Sequence, residues 1–169
     1  MKKLFSLMFV MLFLLCSCTV QAEMNPEIFV SRFFEKYPDC KLETEGMFYE
    51  GNKSVLFAND ETQNRFALEI TTDLSERVQK ISLACSGADK AESLFVFVEK
   101  VLSVYAPEED INAVLHNLAD GKYFSYYETL WYGYAFSQTE SGAFFSVENK
   151  RLAPERESVL TLKENESVS

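Results

Sequence analysis

Residues 65–85, RFALEITTDLSERVQKISLAC, carry the pattern that decides the fold. Phe66, Leu68 and Ile70 alternate with Arg65, Ala67 and Glu69, and further on Ile81, Leu83 and Cys85 alternate with Lys80, Ser82 and Ala84. Successive side chains of a strand point to opposite faces. Each run therefore has one apolar face and one polar or small face, the pattern of an antiparallel sheet buried on one side.

Working outward, two more strand-like runs precede this stretch, Lys41 to Glu50 and Lys53 to Ala58, with Gly51-Asn52 as a tight turn between them. Before them, Asn25-Pro26-Glu27 opens a helix with a side-chain cap, a proline in the first turn and an acid at the positive dipole end. Ile28, Phe29, Phe33 and Tyr37 repeat at helical spacing until Pro38 ends it. Downstream, Asp89 to Tyr105 reads as the longest helix, apolar over so wide a face that it belongs in the centre of the molecule. Pro107 with Glu108, Glu109 and Asp110 starts another helix, which buries Ile111, Val114, Leu115 and Leu118 and stops at Gly121. Strands follow at Lys122–Tyr127, Thr129–Ser137 and Ala143–Asn149, the last two joined by a turn at Glu140-Ser141-Gly142, and Val159–Leu162 offers a further edge strand.

The fold class is α+β, helices packed on antiparallel sheet in the order α-ββββ-αα-βββ(β), which suggests a helix-then-sheet unit used twice. This order resembles small secreted inhibitors and lipoproteins of the β-lactamase-inhibitor-protein type. The resemblance rests on element order and implies no activity.

The N-terminus sets the address. Lys2 and Lys3 precede an apolar run from Leu4 to Leu15 that is too short to span a membrane, so residues 1–22 read as a secretory signal. Two processing sites compete. Val20-Gln21-Ala22 is an A-x-A-like site, whereas Leu15-Cys16-Ser17-Cys18 resembles a bacterial lipobox, which implies lipidation of Cys18. The expectation is export to the cell envelope, either anchored as a lipoprotein or secreted and periplasmic. Residues 23–153 then form a single domain, and 154–169 an acidic, partly disordered tail.

Net charge is −10 for the whole chain, and the segment 1–22 removes two lysines and no acid. Such a surface repels nucleic-acid phosphates and anionic headgroups and favours a partner with a basic surface. Any membrane contact would run through the lipid anchor. Beyond Cys16 and Cys18 the chain has Cys40 and Cys85, and in an exported domain two cysteines suggest one disulfide, the alternative being two buried thiols. Cys40 opens the first strand and Cys85 ends the fourth, so a meander brings them to the same end of the sheet.

Candidate chemistry is sparse. His116 is the sole histidine, and a Ser-His-Asp system or a zinc site needs partners the sequence lacks. No glycine-rich phosphate loop occurs. Glu43 with Glu45 reads as a wet strand face, and the acids at 108–110 as dipole-matching residues. The expectation is therefore a non-enzymatic protein with no metal and no cofactor. What rises above background is Tyr123 to Phe136, YFSYYETLWYGYAF, with eight aromatics in fourteen residues. Alternation puts Leu130, Tyr132, Tyr134 and Phe136 on one face and Trp131, Gly133, Ala135 and Ser137 on the other. If that second face is open, Trp131 stands exposed among small neighbours in a shallow groove, as in a protein hot spot or a sugar platform; if helices cover one face and loops the other, the aromatics are simply core. Trp131, Tyr123 and Tyr127 are the ligand-binding candidates, with a protein ligand preferred over carbohydrate. The alternatives are an inhibitor of an enzyme and a small hydrolase.

Intact mass of the exported protein checks the processing step. The expected product begins at lipidated Cys18; an unmodified chain beginning at Glu23 would overturn that expectation.

Overall fold

A computed structural model describes residues 24–60, 64–87, 91–119, 121 and 123–152, and for 42–50 the backbone only. Residues 1–22, with the expected secretory signal, both expected cleavage sites and Cys18, and the tail 154–169 with the expected strand Val159–Leu162, lie outside the described residues.

The observed order is α1 (Pro26–Lys36), β1 (Lys41–Glu50), β2 (Lys53–Asn59), β3 (Arg65–Thr72), β4 (Val78–Ser86), α2 (Ala91–Tyr105), α3 (Ile111–Ala119), β5 (Phe124–Glu128), β6 (Tyr132–Thr139) and β7 (Gly142–Asn149). Among the described residues the strands form one seven-stranded sheet, ordered β1-β2-β3-β4-β7-β6-β5, with every neighbouring pair antiparallel. The helix-then-sheet order holds, and the two strand sets merge through the β4–β7 ladder. The α+β class is as the alternation implied.

Local chemistry explains the elements. The Asn25 side chain accepts the Ile28 N–H at 2.8 Å and Pro26 follows, so α1 starts where a cap and a preset φ coincide. Between β3 and β4, the carboxylate of Asp73 accepts the backbone N–H groups of Ser75 and Arg77, both at 2.9 Å, and binds the Arg77 guanidinium. Desolvation works against the charge on Asp73, but these bonds outweigh it and hold the carboxyl below its ordinary range. Glu76, at φ 60°, closes the turn.

One sheet face is buried. Leu56, Ala58, Phe66, Leu68, Ile70, Ile81, Leu83, Tyr132, Tyr134, Phe136, Phe145 and Val147 join one core with the apolar sides of the helices. α2 lies at its centre, packing on α1, α3, β4 and β7. Phe97 reaches from it to Phe33 of α1 (5.6 Å between centroids) and stacks on Phe66 of β3 at 4.8 Å. Among the described residues no helix covers the opposite face, and none is long and apolar enough to cross a membrane.

The expected Cys40–Cys85 bridge is a correction. Both thiols are buried and they are not joined to each other. The two residues do lie at the same end of the sheet, since Lys41 pairs with Asn59 and Ala67 with Ala84. Two whole strands separate them laterally. Three interstrand steps amount to about 14 Å, twice the roughly 7 Å between Cα atoms that a disulfide can span. Cys40 instead lies with its sulfur 3.7 Å from the Lys100 ammonium, under the helix layer.

Reductant should accordingly leave the thermal midpoint of the folded protein unchanged. A fall of several degrees would show that a bridge contributes, since a loop-closing disulfide of this span is worth about 4 kcal/mol.

Candidate functional site

The aromatic segment forms a hairpin at the edge of the sheet. Register runs Phe124↔Ser137, Tyr126↔Ala135 and Glu128↔Gly133, and the Thr129 N–H donates to the Tyr132 carbonyl at 2.9 Å. Leu130 and Trp131 are therefore the two loop residues of the turn, and β6 begins only at Tyr132. This differs from the expected strand Thr129–Ser137. No glycine, proline or asparagine marks the turn, and neither loop residue takes a positive φ.

The division of faces along β6 is as alternation implied: Tyr132, Tyr134 and Phe136 enter the core, and Gly133, Ala135 and Ser137 face the other way. Trp131 is 40% exposed, on the turn itself. The groove expected beside it is filled: the Tyr126 hydroxyl sits 3.0 Å from where a Cβ on Gly133 would stand. Tyr126 also hydrogen-bonds Glu128. The Arg151 guanidinium lies over the Trp131 ring at 4.8 Å and reaches Glu108 at 3.5 Å.

The three proposed ligand residues separate. Tyr123 is exposed at the start of the hairpin and Trp131 at its tip. Tyr127 does not belong with them: it points toward the helix layer, half-buried and stacked near Tyr134 with centroids 6.2 Å apart. An odd–even shift explains this, since Tyr126 and Tyr127 necessarily face opposite sides of β5. Sequence reasoning passed over Tyr126 and Phe124, which are exposed on the open face, and Leu130. The signal for the first two was the alternation in FSYYE, once Ser125 is placed inside. Its hydroxyl donates to the Leu118 carbonyl of α3 at 2.5 Å.

Beneath the hairpin is a layer of tyrosines and acids. The Tyr105 hydroxyl donates to the carbonyls of Val78 and Gln79, both at 3.0 Å. The Tyr132 hydroxyl donates to Glu108 at 3.0 Å, and the Thr129 hydroxyl to Glu109 at 2.9 Å. Asp110 caps α3 by accepting the Ala113 N–H at 3.1 Å. The acids at 108–110 thus tie the start of α3 to the hairpin as well as facing its dipole. Tyr134 is fully buried, and its hydroxyl makes no hydrogen bond of ordinary distance and angle among the described residues, although the Thr129 side chain is near enough to favour its charged form slightly. Burial first, and the Glu109 carboxylate second, push its phenol above the usual range. Tyr105 is raised likewise, chiefly by burial.

Across the uncovered face the register aligns one row of side chains: Phe57, Ala67, Ala84, Phe144, Ser137 and Phe124. Phe57 and Phe144, both partly exposed, flank the two alanines, and this trough belongs to a groove of about 540 Å³. Among the described residues no group of three or more His, Cys, Asp or Glu side chains could hold a metal ion, and His116 is exposed on α3. Comparison with protein-family models, with curated proteins and with solved structures finds no match to this chain.

The orphaned hydroxyl separates two tyrosines that share one face. Tyr134→Phe should leave stability unchanged or raise it by up to about 1 kcal/mol, because an unsatisfied buried hydroxyl is removed. Tyr132→Phe should cost about 1–2 kcal/mol, because Glu108 loses a donor. Urea unfolding of both variants checks the contrast; equal losses would mean that Tyr134 is hydrogen-bonded in solution.

Proposed function

We propose that the protein is an exported, lipid-anchored, non-enzymatic binding module that captures a protein partner through the β5–β6 hairpin. One observation carries the reading. Five large apolar side chains, Tyr123, Phe124, Tyr126, Leu130 and Trp131, crowd one hairpin with exposures from 40% at Trp131 to 74% at Leu130. Clustered exposed apolar groups of this kind mark interaction sites, and Trp and Tyr are the commonest energetic anchors. The anchoring below supports the same reading. Three hydroxyls, two glutamates and Arg151 fix the hairpin to α3 and to the end of β7. A surface held rigid before binding loses less entropy on association.

Charge defines the partner. With a net charge of −10 and Glu108, Glu109 and Glu128 beside the hairpin, a basic surface approaches most readily. A protein fits better than a sugar, because the aromatics project from a convex turn and edge and not from the walls of a cleft.

Capture of envelope proteins on the immobilised protein tests the reading, followed by affinity measurement on the partner retained. Trp131→Ala and Tyr126→Ala should each weaken that affinity about 30-fold, the equivalent of about 2 kcal/mol. Their thermal midpoints should stay within a few degrees of the wild type. Affinity unchanged in both variants overturns the hairpin as the binding surface.

A further inference from the structure

The sheet face that no described helix covers is self-complementary about the seam between β4 and β7. Three cross-strand pairs lie along that seam on this face: Ala84↔Phe144, Ser82↔Ser146 and Lys80↔Glu148. The first sets a methyl beside an aromatic ring, the second two almost fully buried hydroxyls side by side, and the third two opposite charges.

A two-fold axis along the seam, in the plane of contact, lays β4 of one copy over β7 of a second. Every seam residue then meets its own cross-strand partner in the other copy, which is the condition for an isologous interface. Phe144 comes down on the second copy's Ala84, in the groove of about 540 Å³ whose floor is cut back to methyl groups at Ala67 and Ala84. Ser82 lies over Ser146, where each hydroxyl can donate to the other copy. Lys80 and Glu148 of the two copies close a ring of four alternating charges. Two strands further out, Lys53, which already pairs with Glu69, comes opposite Glu128, which already pairs with Lys150, and Phe57 comes opposite Phe124. No like charges oppose each other in these rows. An axis across the strands would instead lay Phe144 on Glu148 and Ala84 on Lys80, an apolar group against a charge each time.

We propose that this face is the contact of a two-fold dimer, in which the sheets of two copies pack face to face about the β4–β7 seam. Twisted sheets packed in this way cross at about −30°, so contact is closest at the seam and opens toward the corners. Six strands and three rows of side chains at ordinary spacings cover roughly 500–600 Å² of each copy. That lies at the lower end of specific interfaces, and the net charge of −10 opposes association, so the dimer is a weak one. The proposal goes beyond the hairpin reading. The turn at Leu130 and Trp131 lies past the last facing row and stays clear in the dimer. Phe124 and Tyr126 do not, so a partner that uses the whole hairpin competes with the second copy.

Sedimentation velocity of the purified protein between about 1 and 200 µM tests it. A monomer–dimer equilibrium is expected, with a dissociation constant in the range of about 10–100 µM. Lys80→Glu alone and Glu148→Lys alone should each weaken it at least tenfold. An equimolar mixture of those two variants should recover dimerisation to within about threefold of the wild type, because across the axis every charge again meets its opposite. Phe144→Ala should weaken dimerisation at least tenfold with the melting midpoint of the monomer within a few degrees of the wild type, and it decides the matter should the charge variants melt early. Removing residues 154–169 should change nothing. A wild type that stays monomeric throughout overturns the proposal, as does a dimer indifferent to Phe144→Ala or a mixture that stays monomeric. Dimerisation that appears only without residues 154–169 overturns it by placing that segment on the face. Loss of the dimer in Trp131→Ala with the seam variants unaffected overturns it by moving the contact to the hairpin.

Discussion

Everything else in the molecule depends on the ladder between β4 and β7. It joins a four-stranded meander to a three-stranded one, through pairs such as Ile81↔Val147, Leu83↔Phe145 and Cys85↔Ala143. Because side chains alternate, a slip of one residue would turn Phe145 and Val147 out of the core and leave α2 with nothing to cover. The ladder ends at Gly142, where an added Cβ would collide with the Cys85 carbonyl. That close approach fixes the register at the point where the two meanders meet, and with it the face on which every aromatic of the second meander lies.

The order of elements and the division of faces were legible because they depend on alternation and caps, which are local. Phe66, Leu68, Ile70, Ile81 and Leu83 entered the core as their spacing implied, and Asn25 and Pro26 opened a helix. What was not legible is lateral. A meander puts the start of its first strand and the end of its fourth at one end of a sheet, but it also leaves two strands between them, a width that sharing an end does not remove and that exceeds a disulfide's reach. The turn at Leu130-Trp131 was hidden for a different reason. Its residues keep ordinary backbone angles and lack the side chains that usually announce a reversal, so the alternating pattern runs through it without a break.

The acids at 108–110 show how a local account can be true and incomplete. Asp110 does cap α3, as an acid at a helix start should. Its neighbours Glu108 and Glu109, just before the helix, accept hydrogen bonds from the hydroxyls of Tyr132 and Thr129. Those partners lie 24 and 20 positions away in the chain, and no spacing rule connects them. The site itself was half legible: the aromatic density between Tyr123 and Phe136 pointed to the hairpin, while the choice of Tyr127 over Tyr126 depended on a parity that only the pairing with β6 resolves.

The pairing of Arg151 with Trp131 has a spectroscopic consequence. The chain contains a single tryptophan, so its near-ultraviolet-excited indole emission comes from one place, the turn of the hairpin. There the ring is partly in water and partly under a guanidinium that also reaches Glu108. Wavelength and quenching therefore read the local polarity of that turn alone, without a label and without interference from the core, whose rings are phenylalanine and tyrosine. A change at that turn, from whatever cause, is thus read out by the molecule itself.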